Sequence, residues 1–181
     1  MAVGAGVLGW TVVYDPVPTV MGYKQMADYV ADRVPADARV LFSGYRDGNF
    51  AVDLRMREDR RDIWTIRADK LLLRVAIERR RGVGEADYSQ AQIAALIQTL
   101  GIDLVVAQDG FWADLTEMHR LADVLAGPDF TPVAHFTIGG TMGRTDKSFT
   151  IYRPNYPVEQ KTRTLEFDMP IFGGRISGQL R

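Results

Sequence analysis

The sequence predicts an α/β domain: a three-layer, Rossmann-like open sheet, mostly parallel, finished by a C-terminal antiparallel hairpin. Three observations carry that expectation. Largely apolar runs of strand length, Val40–Phe42, Ile63–Ile66 and Ile102–Ala107, alternate with segments whose apolar spacing a helix accommodates, the order of a βαβ chain. The run Ile102–Ala107, interrupted only by Asp103, has the character of a parallel strand covered on both faces. Each run then breaks into a polar stretch at its C-terminal end, the end at which open α/β sheets hold their ligands.

Composition agrees with one ordinary globular domain. The 181 residues are 46% hydrophobic and 25% charged, enough for a sizeable core. A net charge of −1 from 22 basic and 23 acidic residues provides no field to draw in nucleic acid, so no nucleic-acid partner is expected. With no cysteine, disulfides and thiolate chemistry are excluded.

Residues 1–21 read as an apolar stub and linker. Ala2–Val13 carries no charge, and Pro16 and Pro18 follow it, opposing any continuing helix. This stretch is shorter than the roughly 20 residues a bilayer span needs and lacks the basic start of a secretory signal. It reads either as the end of a membrane helix, with Trp10 and Tyr14 at headgroup level, or as an arm docked on the core. Gly4, Gly6 and Gly9 have the spacing of a dinucleotide site without the preceding strand and following helix that such a site requires.

The domain proper is expected over residues 22–156, with 157–181 as a C-terminal tail of Pro, Gly and isolated apolar residues. Tyr23, Met26, Ala27, Val30 and Val34 share a helical face that Pro35 ends. Gly48–Arg57 carries Phe50, Val52, Leu54 and Met56, a spacing that suits a helix or a strand. Arg57–Asp62 is a polar turn before the strand Ile63–Ile66, and Leu71–Ile77 suggests a short helix leading into a strand. Glu78–Arg81 is a charged turn. Ser89 and Gln92 form a capping box ahead of a helix burying Ile93, Leu96, Ile97 and Leu100, and Gly101 supplies its left-handed end. A further helix uses Leu115, Met118, Ala122 and Leu125 and stops at Gly127 and Pro128. Pro132–Ile138 and Ser148–Arg153 form the hairpin, joined by GGTMGRTDK, which has no following helix to make it a phosphate cradle.

Candidate chemistry is sparse. His119 and His135 lie in different elements, and there is neither an HExxH pair nor a D-x-D pair, so no metal site is expected. Glu85 and Asp87 fall in a turn and read as solvated. Ser43 lacks the flanking glycine pattern of a nucleophile elbow. His119 reads as a surface histidine. The remaining candidates are the strand-end residues Arg46, Asp47 and Asn49, then Arg67, Asp69 and Lys70, then Gln108 and Asp109. On parallel strands these meet along one rim, a mixture of guanidinium, carboxylate and amide groups suited to a sugar or phosphorylated ligand. No catalytic residue and no cofactor are assigned.

The segments GYKQMADYVADRVPADARVLFSGYRDGNFAVDLR, DIWTIRADKLLL, LGIDLVVAQDG and FTIYRPN, after an apolar stretch with an aromatic and proline exit, together resemble the C-terminal soluble domain of bacterial membrane glycosyltransferases similar to dolichyl-phosphate-mannose protein mannosyltransferases. The resemblance spans about Val7–Tyr156. It implies an extracytoplasmic, periplasmic-face domain whose partner is a membrane-embedded glycosyltransferase domain. That partner binds a polyprenyl-phosphate sugar donor and supplies the catalytic carboxylate, so none is carried onto this chain. A glycan or lipid-linked sugar is the implied contact, with acceptor recognition or assembly as the role. The alternative is a free-standing Rossmann-like enzyme binding a sugar or nucleotide in a pocket bounded by Asp47, Asp69 and Asp109. A third reading is an oligomerising domain.

Overall fold

The computed structural model describes residues 19–75, 82–143, 146–159, 164–169 and 174–179. The stub Ala2–Val13 with Gly4, Gly6 and Gly9, and the cluster Glu78–Arg81, lie outside the described residues.

In chain order the elements are β1 (Val20–Met21), α1 (Tyr23–Ala31), β2 (Arg39–Ser43), α2 (Asp47–Arg55), a 3-10 turn (Glu58–Arg60), β3 (Trp64–Arg67), α3 (Ala68–Leu72), β4 (Leu73–Val75) and β5 (Val83–Glu85). There follow α4 (Gln90–Thr99), β6 (Leu104–Gln108), α5 (Thr116–Ala126), β7 (Phe130–Phe136), β8 (Gly139–Gly140), β9 (Phe149–Pro154), β10 (Thr164–Met169) and β11 (Gly174–Gln179).

Five strands form one mixed sheet in the order β3-β2-β6-β9-β7. The first three run parallel: Leu41 in β2 stands between Ile66 of β3 and Val105 of β6. β9 then joins β6 antiparallel, with Ile151 opposite Val106, and β7 joins β9 antiparallel at the edge. The sheet therefore has two parallel and two antiparallel pairings, because the expected hairpin docks onto β6 through its second strand. Pro132 is accommodated on the edge strand, beside a register shift between Pro132 and Ala134, where its missing N–H disrupts no interior ladder.

Alternate residues of the central strands face opposite ways, and each side has its own core. Val40, Phe42, Leu104, Val106, Phe149 and Ile151 pack with α1 and α2 through Met26, Val30, Phe50 and Leu54. Leu41, Val105 and Ile66 pack with α3, α4 and α5 through Leu72, Ile93, Ile97, Met118 and Leu121. All five residues expected on one helical face, Tyr23, Met26, Ala27, Val30 and Val34, are buried, although α1 ends at Ala31 and Val34 packs from the turn after it. The segment after Gly48 is a helix, not a strand, so only Phe50 and Leu54, four residues apart, turn inward; Val52 and Met56 are 59% and 70% exposed. On α5 the inner face is Met118, Leu121 and Leu125, while Ala122 faces solvent; Met118 and Leu125 stand where expected, and Leu121 takes the place expected of Ala122.

Helix boundaries follow local chemistry. At α4, the Gln92 N–H donates to Ser89 Oγ (3.3 Å) and the Ser89 N–H to Gln92 Oε1 (2.8 Å), completing the capping box. Gly101, at φ 61°, ends the helix with Ile102 N–H bonded to Ile97 O and Gly101 N–H to Gln98 O, a Schellman closure. The polar stretch after β3 is not a loop: Asp69 and Lys70 already belong to α3. β4 pairs antiparallel with β5, apart from the main sheet. The GGTMGRTDK connection contributes β8, which pairs with β1. β10 and β11 form an antiparallel hairpin of their own. Among the described residues no helix is long and apolar enough to cross a membrane.

Candidate functional site at the sheet edge

Because β3, β2 and β6 are parallel neighbours, their C-terminal ends share one edge, and the antiparallel β9 begins at that edge. The tips there are bound tightly to one another. Arg67 donates from Nε (3.0 Å) and Nη2 (2.7 Å) to the two oxygens of Asp69, while its Nη1 lies 3.0 Å from Asp47 Oδ2. Such a bidentate pair is the strongest form of charge-assisted bond. Asp69 is buried beneath it, with Lys70 Nζ 3.9 Å away.

The β2 tip is held from the far side of the sequence. Arg46, at a left-handed φ of 59°, donates from Nε to Asp146 Oδ2 (2.9 Å). The buried Tyr23 hydroxyl, 2.9 Å from the same oxygen, also reaches Tyr45 O at 3.1 Å. Burial, then the Asp146 hydrogen bond and charge, push the Tyr23 phenol well above its ordinary range, so it stays protonated and remains a donor. Gln108, almost fully buried, accepts the Tyr45 N–H on Oε1 (2.7 Å) and donates from Nε2 to Lys147 O (3.5 Å). Gly44 permits this closeness: a Cβ there would sit 2.6 Å from the Phe149 ring and 3.1 Å from Gln108 Cβ.

The eight rim residues thus divide. Arg46, Asp47, Arg67, Asp69, Lys70 and Gln108 are engaged with neighbouring protein groups. Asp109 and Asn49 are exposed, and their side chains have no hydrogen-bond or ionic partner among the described residues. Asn49 lines a cavity of about 580 Å³ between the start of α1 and α2, together with Val20, Met21, Tyr23, Lys24 and Val52. Asp109 lies at the middle of the edge, where β6 ends, beside Gly110 and an aromatic group. There Tyr45, 49% exposed, stands perpendicular to Phe111 (centroids 4.8 Å, 89°), and Phe111 stacks on Trp112 (4.9 Å, 15°).

Comparison with protein-family models, with curated proteins and with solved structures finds no match to this chain.

Sequence reasoning placed the strand ends but missed the groups that hold them: Tyr23, Asp146 and Lys147 lie far along the chain from their partners. The aromatic group had a local signal in Phe111-Trp112, directly after the polar end of β6. Elsewhere, no cluster of three metal-ligating residues stands among the described residues. His119 is exposed on α5, 3.5 Å from Asp123. Ser43 is buried at the end of β2. Glu85 and Asp87 do not act as a free pair: Glu85 accepts the Glu117 N–H at the start of α5 (3.3 Å), and Asp87 pairs with Arg120 (3.2 Å).

Proposed function

We propose that this chain is a soluble accessory domain of a polyprenyl-phosphate-sugar-dependent membrane glycosyltransferase. It has a three-layer Rossmann-like plan, acts at the extracytoplasmic face, and is non-catalytic by itself. The resemblance of its segments to the C-terminal domain of such transferases supports the reading. One structural observation supports the non-catalytic part: at the sheet edge Arg46 and Arg67 are neutralised by Asp146, Asp47 and Asp69. An active site for phosphorylated sugars needs several cations aimed at the ligand. Here Arg67 and Arg46 are occupied, and Asp69 lies buried under Arg67. That arrangement ties loops into a firm surface suited to contact and positioning.

The test is reconstitution. The full chain is co-expressed with the membrane glycosyltransferase encoded nearest to it, the pair is purified through a tag on the chain, and sugar transfer from a polyprenyl-phosphate donor is measured with and without the chain. Retention of the transferase and a transfer rate that falls when the chain is omitted are expected. Transfer by the chain alone, or failure to retain the transferase, overturns the reading.

A further inference from the structure

The aromatic corner at the end of β6 is the part of the edge that the ion pairs leave open. We infer that it binds a pyranose ring of an uncharged oligosaccharide, with the exposed Tyr45 ring as the stacking face and Asp109 and Lys147 as the hydrogen-bonding rim; as a substrate assignment it rests on the acceptor-recognition reading above.

Four observations converge on this corner. Tyr45 is 49% exposed, yet its ring packs perpendicular to Phe111 and its backbone N–H is held by the Gln108 amide oxygen. A rigid aromatic face offers contact area with little entropy left to lose on binding. Trp112, packed flat on Phe111, holds a left-handed φ of 47°. For a bulky residue that conformation is strained, and strain of this kind persists where the surroundings over-determine it. Here it keeps the Phe111–Trp112 stack standing beside Tyr45.

The polar surround selects the ligand. Asp109 is an acceptor and Lys147 a donor, both exposed and without a side-chain partner among the described residues. Lys147 is brought there by the Gln108 bond to its carbonyl, and its Nζ reaches over Gly110, where a Cβ would lie 2.9 Å from it. A pyranose has one face of C–H groups for an aromatic ring and an equator of hydroxyls that donate to a carboxylate and accept from an ammonium. A nucleotide also stacks, and Lys147 offers its phosphate one cation, but the Asp109 carboxylate stands beside that cation and Arg46 and Arg67 are already paired.

The experiment is a titration of the full isotope-labelled chain, followed by the backbone amide signals of Tyr45, Gly110 and Phe111. The probes are maltotriose, mannotriose and chitotriose, each to about 20 mM, with adenosine monophosphate in parallel. At least one trisaccharide is expected to shift these signals with a Kd in the millimolar range, about 4 kcal/mol of binding. Tyr45→Ala is expected to weaken that binding at least tenfold, and Asp109→Asn and Lys147→Met about threefold each. The latter two side chains are exposed and unpaired, so these variants separate lost binding from lost folding. No shift with any trisaccharide, shifts unchanged in Tyr45→Ala, or tighter binding of the nucleotide overturns the inference. None of these readouts requires a transferase, so its failure is distinguishable from failure to retain the membrane partner.

Discussion

Gly44 and Tyr23 show how far single residues decide the geometry of the sheet edge. Gly44 separates the last residue of β2 from the tip that carries Arg46, and both Phe149 and Gln108 press against the place where its side chain would be. Phe149 is fully buried and has no room to withdraw. Gly44→Ala is therefore expected to destabilise the fold by about 1–3 kcal/mol, the usual effect of overpacking, read as a lower urea midpoint at unchanged slope. Tyr23 contributes through its hydroxyl, the buried donor to Asp146 and Tyr45 O. Tyr23→Phe keeps the ring against Phe149 and removes the bond, so a loss of roughly 1 kcal/mol is expected; equal stability of the two proteins would show that Asp146 is held by Arg46 alone. Neither partnership was legible in the sequence. Tyr23 reads correctly as a core residue from its helical spacing, but nothing local marks the carboxylate 123 positions away.

Elements were legible where their signals are local and obscured where another element supplies the missing group. The capping box and Gly101 of α4 are complete within the helix itself, and both were readable in order. The start of α5 is different. Its N-cap is Leu115, which makes no side-chain cap, so the free N–H of Glu117 is accepted by Glu85 on β5, while Glu117 itself is buried and accepts the N–H of Asp87. Two carboxyl groups thus staple the β4–β5 hairpin to the helix. Burial, then the hydrogen bond with Glu85, raises the Glu117 pKa above its ordinary 4.5; the hydrogen bond with Glu117 lowers that of Glu85. Signs follow from linkage. The raised group favours the fold fully below pH 4.5 and loses that contribution as pH rises through its folded value. The lowered group favours the fold above pH 4.5 and loses its contribution as pH falls. Glu117→Gln retains the shape and supplies an amide donor to Glu85 without a proton to lose. It is expected to be more stable than the parent at pH 8 and to show a flatter decline from pH 5 to 8 in urea unfolding. An unchanged slope would mean that Glu117 ionises freely in the folded protein.

At the scale of the whole molecule, the strand ends converge as the βαβ pattern requires, because β3, β2 and β6 are parallel and adjacent. That much followed from apolar runs and the polar breaks after them. Pattern did not reveal that β9 inserts beside β6, since pairing across a hairpin is specified by which faces are buried. It also did not reveal that most of the gathered strand-end charges, all but Asp109, are paired, because the choice between a binding rim and a self-paired rim depends on distances of a few ångströms. The consequence concerns phosphorylated ligands. With a net charge of −1 and with Arg46 and Arg67 already bound to Asp146, Asp47 and Asp69, a diphosphate has to displace a carboxylate before it gains either guanidinium, and Lys147 alone is left to it. A sugar nucleotide at 1 mM is accordingly expected to leave the thermal midpoint unchanged. A ligand bound with a Kd a hundredfold below its concentration would add about 2.7 kcal/mol to folding, which for a chain of this size raises the midpoint by several degrees. A rise of that size, lost in Arg67→Met, would show that the ion pairs open to admit phosphate and would restore the edge as a nucleotide-sugar site.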